Sequence, residues 1–520
     1  MSNSLTQGLH RALQQRPHAV ATVCGDRRQT FETLVGRVAR FAGAMKALGL
    51  SAGDRIGIMA FNSDRYYEFY FGCWWAGLVV NPCNVRWSAA ELAYSLDDCD
   101  THVLIVDDNF LPMVPELRSR SSALRTVIHL GSADSAPNHH SYEALVTAAA
   151  RVPDVASAGD DLAGIFYTGG TTGAPKGVML THGSIFASSL ALAHELGMSS
   201  DSIYLHTSPM FHIADTGTSV AQTIVGATHC FVPNFEPENV LRVIEKEGVT
   251  HGQWVPAMIQ MLIDCPYMHD ARTDKVRSVL YGASVISEAV LKRALTAFPN
   301  AKFTQVYGMT ELSPVATVLP ADRHVATSGK ALKLRSAGRA SLCAEVRIVD
   351  PQGQEVARQA VGEIAVRGPV LMKGYWNKPE ATAAAIRGGW MMTGDAAYMD
   401  EEGFFFIVDR LKDMIVSGGE NVYSVEVENA LMQMPDIASC AVIPIPHEKW
   451  GEAVHAVVVL KPGCVTTQEA VILHCQGLIA RYKCPRTVEF RDSLPLSGAG
   501  KILKTTLREA HWTGRELRVN

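Results

Sequence analysis

Helical and strand-like patterns alternate along most of the chain, and this alternation constrains the fold more than any other feature. Residues 30–48 carry apolar side chains three and four positions apart, which predicts an amphipathic helix. Short apolar runs predict strands at 55–59, 102–106, 276–281 and 303–307. Because strands that alternate with helices form parallel sheets covered by helices, we predict an α/β fold with doubly wound sheets.

The pattern changes after the charged segment at 410–413. Short strands are predicted at 438–445, 453–460 and 487–490, with helices between them. A chain of 520 residues is also too long for one ordinary core. We therefore expect a large N-terminal domain over residues 1–409 and a small C-terminal α+β domain over residues 410–520.

Composition excludes several classes of protein. Hydrophobic residues make up 47% and charged residues 19%, which excludes an intrinsically disordered chain. The formal net charge of -5 argues against nucleic acid as a partner. The eleven cysteines form no CxxC pair, so a zinc ribbon is not expected, and unpaired thiols fit a reducing cytoplasm.

The sequence predicts no targeting or membrane segment. The first residues lack the apolar stretch of a signal peptide. The most apolar run, residues 69–80, is shorter than the ~20 residues that a membrane span needs. We expect this run to lie in the core of a cytoplasmic protein with no integral membrane segment.

The segment 167–177, YTGGTTGAPKG, carries the most chemical information. Its glycines allow backbone amides to form an anion-binding nest, and its threonines and lysine add donors and a cation. Pro175 and Gly177 flank the lysine, so the segment does not fit a Walker P-loop. We predict a loop that holds a polyphosphate through Thr168, Gly169, Gly170, Thr171, Thr172, Gly173 and Lys176.

This segment resembles the phosphate-binding signature YTSGTTGxPKG of the adenylate-forming superfamily, which includes acyl-CoA synthetases, carrier-loading adenylation domains and luciferases. Gly169 replaces the serine of the pattern, as in many fatty-acyl-CoA ligases. The resemblance implies ATP as substrate and assigns a catalytic role to Thr172.

A second motif, residues 307–311, follows a predicted strand, and ligands of open α/β sheets bind at such strand ends. By resemblance, Tyr307 stacks on adenine, Thr310 contacts the α-phosphate and Glu311 binds Mg²⁺ and is catalytic. Gly308 and Met309 complete this nucleotide-binding segment, and Ala283 is assigned to the same nucleotide.

A third motif, Thr393-Gly394-Asp395, is on its own a weak signal that usually marks a turn. The resemblance makes Asp395 the ribose ligand and Arg410 its partner. It places this pair across the domain boundary. It also makes Lys412 the hinge on which the small domain rotates between two poses.

The C-terminal region carries two further matches. Gly418 and Gly419 resemble the turn that lines the pantetheine tunnel of coenzyme A, and Tyr482 is expected near its adenine. Lys501 resembles the lysine that catalyses adenylation. Ser497 and Lys504 replace the threonine and arginine that the family usually has beside it.

The resemblance also places the substrate carboxylate beside His212, which is assigned a gating role. The acyl pocket is expected from residues that are mostly small or apolar: His212, Ala214, Val255, Met258, Gly282, Pro314 and Val315. This composition favours a medium- or long-chain fatty acid, and the small Ala214 agrees. Pro314 and Val315 resemble the hydroxycinnamate ligases, so an aryl or arylpropenoic acid is the alternative.

The sequence therefore predicts an AMP-forming carboxylic acid–CoA ligase that uses ATP, Mg²⁺ and coenzyme A. A ligase that loads a carrier protein, a luciferase-type monooxygenase and a catalytically inactive nucleotide sensor are the rivals. The joint presence of Glu311, Asp395, Arg410 and Lys501 argues against the inactive sensor. A homodimer is possible.

Overall fold

The structure is a computed structural model that describes residues 3–131, 139–169, 175–283, 286–324, 333–411, 413–418, 420–496 and 502–512. The helices of the described residues are α1 Gln7–Gln15, α2 Phe31–Ala47, α3 Asp64–Trp75, α4 Ala89–Asp98, α5 Val114–Arg120, α6 Tyr142–Ala148, α7 His182–Glu195, α8 Ile213–Val225, α9 Pro237–Glu247, α10 Pro256–Asp264, α11 Glu288–Ala297, α12 Pro379–Ala385, α13 Ser424–Leu431, α14 Gln468–Gln476 and α15 Lys504–Trp512.

The strands of the same residues are β1 Val20–Cys24, β2 Arg27–Thr30, β3 Arg55–Met59, β4 Val79–Pro82, β5 Val103–Val106, β6 Thr126–His129, β7 His140–Ser141, β8 Leu162–Thr168, β9 Lys176–Thr181, β10 Ile203–His206, β11 Thr228–Phe231, β12 His251–Gln253, β13 Ser278–Gly282, β14 Lys302–Tyr307, β15 Thr317–Leu319, β16 Arg339–Ala340, β17 Glu345–Val349, β18 Gly362–Arg367, β19 Gly374–Tyr375, β20 Ile386–Arg387, β21 Trp390–Met399, β22 Phe405–Arg410, β23 Ile415–Ser417, β24 Glu420–Val422, β25 Ile437–His447, β26 Gly451–Leu460 and β27 Thr487–Phe490.

Two mostly parallel sheets dominate the described part of the chain. One has nine strands in the order β16-β15-β14-β13-β12-β10-β11-β1-β2, and the other has eight in the order β19-β9-β8-β4-β3-β5-β6-β7. Helices α8, α9, α10 and α11 alternate with strands β10 to β14 along the chain. The predicted α/β class with doubly wound sheets is confirmed.

The core of the nine-stranded sheet shows why these strands form. Trp254, Leu262 and Phe298 are fully buried between its central strands and helices α9 to α11. Full burial of one such side chain stabilises the fold by about 1.5–3 kcal/mol. The apolar run 69–80 is buried as predicted, since Phe69 and Trp74 are both inaccessible to solvent. Among the described residues, helices of membrane-spanning length and hydropathy do not occur.

The chain falls into two compact units, one of residues 1–346 and 366–391 and the other of 347–365 and 392–520. The second unit contains a sheet ordered β24-β23-β26-β25, with β27 paired to β26. Side chains alternate along β26: Val454, Ala456 and Val458 pack with α13 and α14, whereas Val457 packs with Leu507 of α15. The predicted domain boundary at 409/410 stays a prediction.

Candidate active site

Several predicted site residues of the first unit lie at one edge of the nine-stranded sheet. Strands β10, β12, β13 and β14 are parallel neighbours, so their carboxyl ends lie side by side. His212 follows β10, Val255 follows β12, Ala283 follows β13 and Gly308 follows β14. Residues that are distant in the sequence therefore share the edge at which such sheets bind ligands.

Two glycines at this edge are required by close backbone approaches. A Cβ atom on Gly308 would stand 1.9 Å from the carbonyl oxygen of Pro314. A Cβ on Gly282 would stand 2.6 Å from the carbonyl oxygen of Val306, which is also its register partner on β14. Both positions therefore require glycine, and Tyr307, which lies between Val306 and Gly308, is half-buried.

Glu311 is the buried carboxylate of the site, with 6% of its surface exposed. The hydroxyl of Tyr375 donates a hydrogen bond to its Oε1 atom at 2.8 Å. The ammonium of Lys176 lies 5.0 Å from the centre of the same tyrosine ring, within cation–π range. One aromatic side chain therefore links the carboxylate to the lysine of the glycine-rich segment.

Tyr375 reaches both partners because its strand adds to the second sheet. Strand β19 pairs antiparallel with β9, with Tyr375 opposite Val178. The amide of Met372, three residues earlier, donates to the backbone oxygen of Glu311 at 2.9 Å. Burial, together with the negative charge of Glu311, raises the pKa of Tyr375, so its hydroxyl stays protonated and can only donate to the carboxylate. Tyr375 is not among the residues that the sequence motifs predict for the site.

The glycine-rich segment forms the connection between two paired strands. Thr168, at the end of β8, lies opposite Lys176, at the start of β9. Gly169 is exposed, and nothing lies within 4 Å of the position that its Cβ would take. The remaining predicted phosphate ligands, Gly170, Thr171, Thr172 and Gly173, lie outside the described residues.

The loop that carries His212 is held by buried polar contacts. Asn62 accepts from the amide of Met210 at 2.9 Å and donates to the backbone oxygen of Ser208 at 2.8 Å. Three residues beyond His212, the carboxylate of Asp215 is fully buried and lies 2.9 Å from Nδ1 of His206. These contacts fix the start of α8, so the half-buried ring of His212 is held against Phe211.

The other predicted acyl-pocket residues lie in several environments. Ala214, Val255, Met258 and Pro314 are half-buried. Pro314 packs closely on α8, since a Cβ on Gly217 would stand 3.1 Å from its Cδ atom. Val315 is buried in a cluster with residues of α7, α8 and β13. Contact of these residues with a substrate stays a prediction.

Asp395 and Arg410 form the expected ion pair, but both lie in the second unit and not on two sides of a boundary. They are register partners on β21 and β22, and Nε of Arg410 lies 2.7 Å from Oδ1 of Asp395. Asp395 is buried, whereas 43% of the Arg410 side chain is exposed. The Thr393-Gly394-Asp395 motif lies within strand β21, where Gly394 adopts a φ of 73° and Thr393 donates to the Ile364 carbonyl at 2.9 Å.

Some of the remaining predicted site residues near the C-terminus lie among the described residues, and others do not. Gly418 is exposed between β23 and β24, and the side chain of Tyr482 is 41% exposed. Lys412, Gly419 and Lys501 lie outside the described residues. Lys504 is half-buried, and its Nζ atom lies 2.6 Å from the Ser424 hydroxyl and 2.7 Å from the Glu428 carboxylate.

A buried carboxylate lies beside this lysine. Asp409 accepts from the hydroxyl of Ser424 at 2.9 Å. Burial raises the pKa of Asp409 to about 6, although the nearby charge of Lys504 opposes the shift. The start of α15 is therefore fixed to α13 by a cluster of buried polar groups.

Comparison with known proteins shows two family models along the chain. The AMP-binding enzyme model matches residues 9–376, and the AMP-binding enzyme C-terminal domain model matches residues 426–501. The chain is similar to a feruloyl-CoA synthase of Amycolatopsis, with 38% identity over 500 residues that cover 96% of this chain and 97% of the relative.

It is also similar to the long-chain-fatty-acid–CoA ligase FadD13 of Mycobacterium tuberculosis, with 35% identity over 486 residues and 94% of each chain covered. Among solved structures, ATP-bound MatB from Rhodopseudomonas palustris superposes with a TM-score of 0.88 at 28% identity, covering 99% of this chain and 100% of that one. The two family models follow each other in this order and together match most of the chain. The site at the carboxyl ends of the strands agrees with them, and the chain belongs to the AMP-binding enzyme family.

Proposed function

We propose that this protein is an AMP-forming carboxylic acid–CoA ligase. It adenylates an apolar acid with ATP, releases pyrophosphate, and then transfers the acyl group to the thiol of coenzyme A with release of AMP. The observation that carries the proposal is the contact of Tyr375 with both Lys176 and Glu311. It brings the lysine of the glycine-rich segment and the carboxylate that follows β14 to the same side chain.

The first step brings an acid anion to the α-phosphate of ATP. At ~4 Å and intermediate dielectric, two unit charges repel by about 4 kcal/mol. Lys176 offsets part of this repulsion from the end of the glycine-rich segment, and Lys501 offsets more as the charge develops at the reacting phosphate.

Glu311 is suited to hold a magnesium ion. Carboxylate oxygens are the ligands that Mg²⁺ prefers, and the hydrogen bond from Tyr375 fixes the orientation of this one. Bound there, Mg²⁺ would neutralise charge on the phosphates. Thr168, Thr171, Thr172 and Thr310 supply hydroxyl donors to the phosphates.

Asp395 is proposed to accept both ribose hydroxyls, with Arg410 holding its carboxylate at 2.7 Å. Rotation at Lys412 then withdraws Lys501 after adenylation and brings Gly418 and Gly419 to the site for the thioester step. Tyr482 is proposed to contact the adenine of coenzyme A.

We propose a medium- or long-chain fatty acid as substrate, because Ala214, Val255, Met258 and Pro314 offer small or apolar groups. The similarity to a feruloyl-CoA synthase over 96% of this chain specifically favours an arylpropenoic acid as the second candidate. His212 is proposed to gate the entry of the carboxylate in either case.

The test is AMP release from ATP and Mg²⁺ across a panel of aliphatic and aryl acids, with and without coenzyme A. AMP that appears only with coenzyme A and one class of acid supports the ligase and identifies its substrate class. Pyrophosphate exchange without turnover on coenzyme A would instead indicate a carrier protein as acceptor.

We also propose that the enzyme acts in the cytoplasm, because all eleven cysteines are free thiols, as a reducing compartment requires. The possible homodimer stays a prediction, which a mass measurement in solution would test.

A further inference from the structure

A second cluster of chemically competent side chains lies in the small unit, on the face of its sheet that carries α15. His455 comes from β26, Glu489 from the neighbouring strand β27 and His511 from α15. One donor atom from each residue lies within 4.8 Å of the other two. The proposed ligase reaction assigns no role to any of them.

The geometry brings three donor atoms to one point. Oε2 of Glu489 lies 3.6 Å from Nε2 of His455 and 3.9 Å from Nε2 of His511. These distances exceed a hydrogen bond, but two ligands of a tetrahedral zinc ion stand about 3.4 Å apart. Small rotations of Glu489 and His511, which are both about one-third exposed, would close the set.

The buried imidazole is the second, independent observation. His455 is only 5% exposed, and among the described residues its Nε2 atom has no hydrogen-bond partner. A buried polar atom without a partner is costly, and a bound ion is one way to satisfy it.

Neighbouring residues orient the proposed ligands through hydrogen bonds. Nδ1 of His455 lies 2.7 Å from the hydroxyl of Thr487, which leaves Nε2 facing the cluster. Nε of Arg491 donates to Oε1 of Glu489 at 2.5 Å, which leaves Oε2 facing both histidines. The charge of Arg491 opposes a cation, so we expect weaker binding than at a four-ligand structural zinc site.

We propose that His455, Glu489 and His511 bind one divalent transition-metal ion, with zinc the best match to two imidazoles and one carboxylate. The ion would join α15 to β26 and β27, and a water molecule would complete its coordination. Leu507 packs on the same face, and Nε1 of Trp512 donates to the Pro444 carbonyl at 3.1 Å, so the helix is already docked where the ion would bind.

The test uses full-length, untagged protein from which metal has been removed with a chelator. Zinc is titrated against a chromophoric chelator, and Co²⁺ replaces zinc to report coordination geometry by visible absorption. We expect one equivalent per chain, a tetrahedral cobalt spectrum, and slower hydrogen exchange in α15 when zinc is bound.

Variants identify the ligands. His511→Gln and His455→Gln should each lose the equivalent, and Thr487→Val should weaken binding about tenfold. His474→Gln is the matched control. His474 lies on α14 of the same unit, and its imidazole contacts the backbone carbonyl of Ala430 and not the proposed site. His455 is buried, so its variant could misfold. The result for His511→Gln, whose side chain is partly exposed, therefore decides whether the cluster binds zinc, and circular dichroism checks that this variant is folded.

Either of two results would overturn the proposal. One is the absence of zinc binding by the wild-type chain. The other is a full equivalent retained by folded His511→Gln, which would place the ion elsewhere, for instance at a cysteine. Neither result bears on the ligase reaction, because metal content is measured without acid, ATP or coenzyme A.

Discussion

Tyr375→Phe is the substitution that best tests the proposed active site. It removes only the hydroxyl that donates to Oε1 of Glu311 at 2.8 Å, and it keeps the ring that lies 5.0 Å from Lys176. Both hydrogen-bonding partners are buried, with 8% of Tyr375 and 6% of Glu311 exposed. Water therefore cannot easily replace the lost donor.

The expected size of the effect follows from the charge on the acceptor. A hydrogen bond to a charged group contributes about 1.5–3 kcal/mol, and each 1.36 kcal/mol is a factor of ten in rate. If Glu311 needs this bond to stay oriented toward Mg²⁺, the adenylation rate should fall about ten- to hundredfold. The concentration of Mg²⁺ needed for half-maximal rate should rise, because the ligand is less well fixed.

The assay is pyrophosphate exchange at several concentrations of Mg²⁺ with a saturating acid. Tyr142→Phe is the matched control, because the Tyr142 hydroxyl donates to the buried carboxylate of Glu68 at 3.0 Å, away from the nucleotide edge. It should lower the free energy of unfolding by a comparable amount and leave the Mg²⁺ dependence unchanged.

Two outcomes would refute this reasoning. A Tyr375→Phe enzyme with the wild-type rate and Mg²⁺ dependence would show that the hydroxyl does not position Glu311. An equal shift in Tyr142→Phe would show that the change in Mg²⁺ dependence comes from lost stability and not from the site.

Three further predictions are open to direct measurement. Lys501→Ala should slow adenylation by about 10²–10³-fold and spare thioester formation from supplied acyl-AMP; equal losses in both half-reactions would contradict the domain rotation. Gly308→Ala should cost about 3 kcal/mol of stability in urea unfolding, because its Cβ would stand 1.9 Å from the Pro314 carbonyl oxygen. Burial lowers the pKa of His251 to about 4, below its unfolded value near 6.5. The contribution of the neutral imidazole to the free energy of unfolding is therefore complete above pH 6.5 and is lost as the pH falls to 4. Between pH 7 and pH 5 this histidine should lower the free energy of unfolding by about 2 kcal/mol. His251→Gln should remove that part of the dependence of the free energy of unfolding on pH.

The sequence was sufficient where apolar patterns are local. The predicted strand at 55–59 is observed as Arg55–Met59, and the predicted strand at 487–490 as Thr487–Phe490. The strands predicted at 438–445 and 453–460 extend further, to Ile437–His447 and Gly451–Leu460. Their pairing continues through polar residues, because backbone hydrogen bonds do not depend on the apolar pattern that defined the prediction.

Tyr375 could not be found in this way because its position depends on pairing distant in the sequence. Its strand has two residues, too few for any periodicity to appear, and it pairs with a strand that lies almost 200 residues earlier. The motif at 393–395 shows the same limit. On its own it is typical of a turn, yet Asp395 is held in an extended strand opposite Arg410.

Lys504 shows how a correct motif match can leave the physical role open. The sequence presents it as a substitute for an arginine near Lys501, but in the structure its half-buried ammonium binds Ser424 and Glu428. Nearby, Leu496 and Ile502 pair across the segment that contains Lys501. The two ends of that segment are therefore joined to each other, and Ile502 also packs against Val457 and Leu507 of the small unit. On this argument Lys504→Met, which keeps the length of the side chain but removes its charge, should slow adenylation more than thioester formation in separate assays of the two half-reactions, because it loosens the start of α15 close to the predicted adenylation lysine in the sequence.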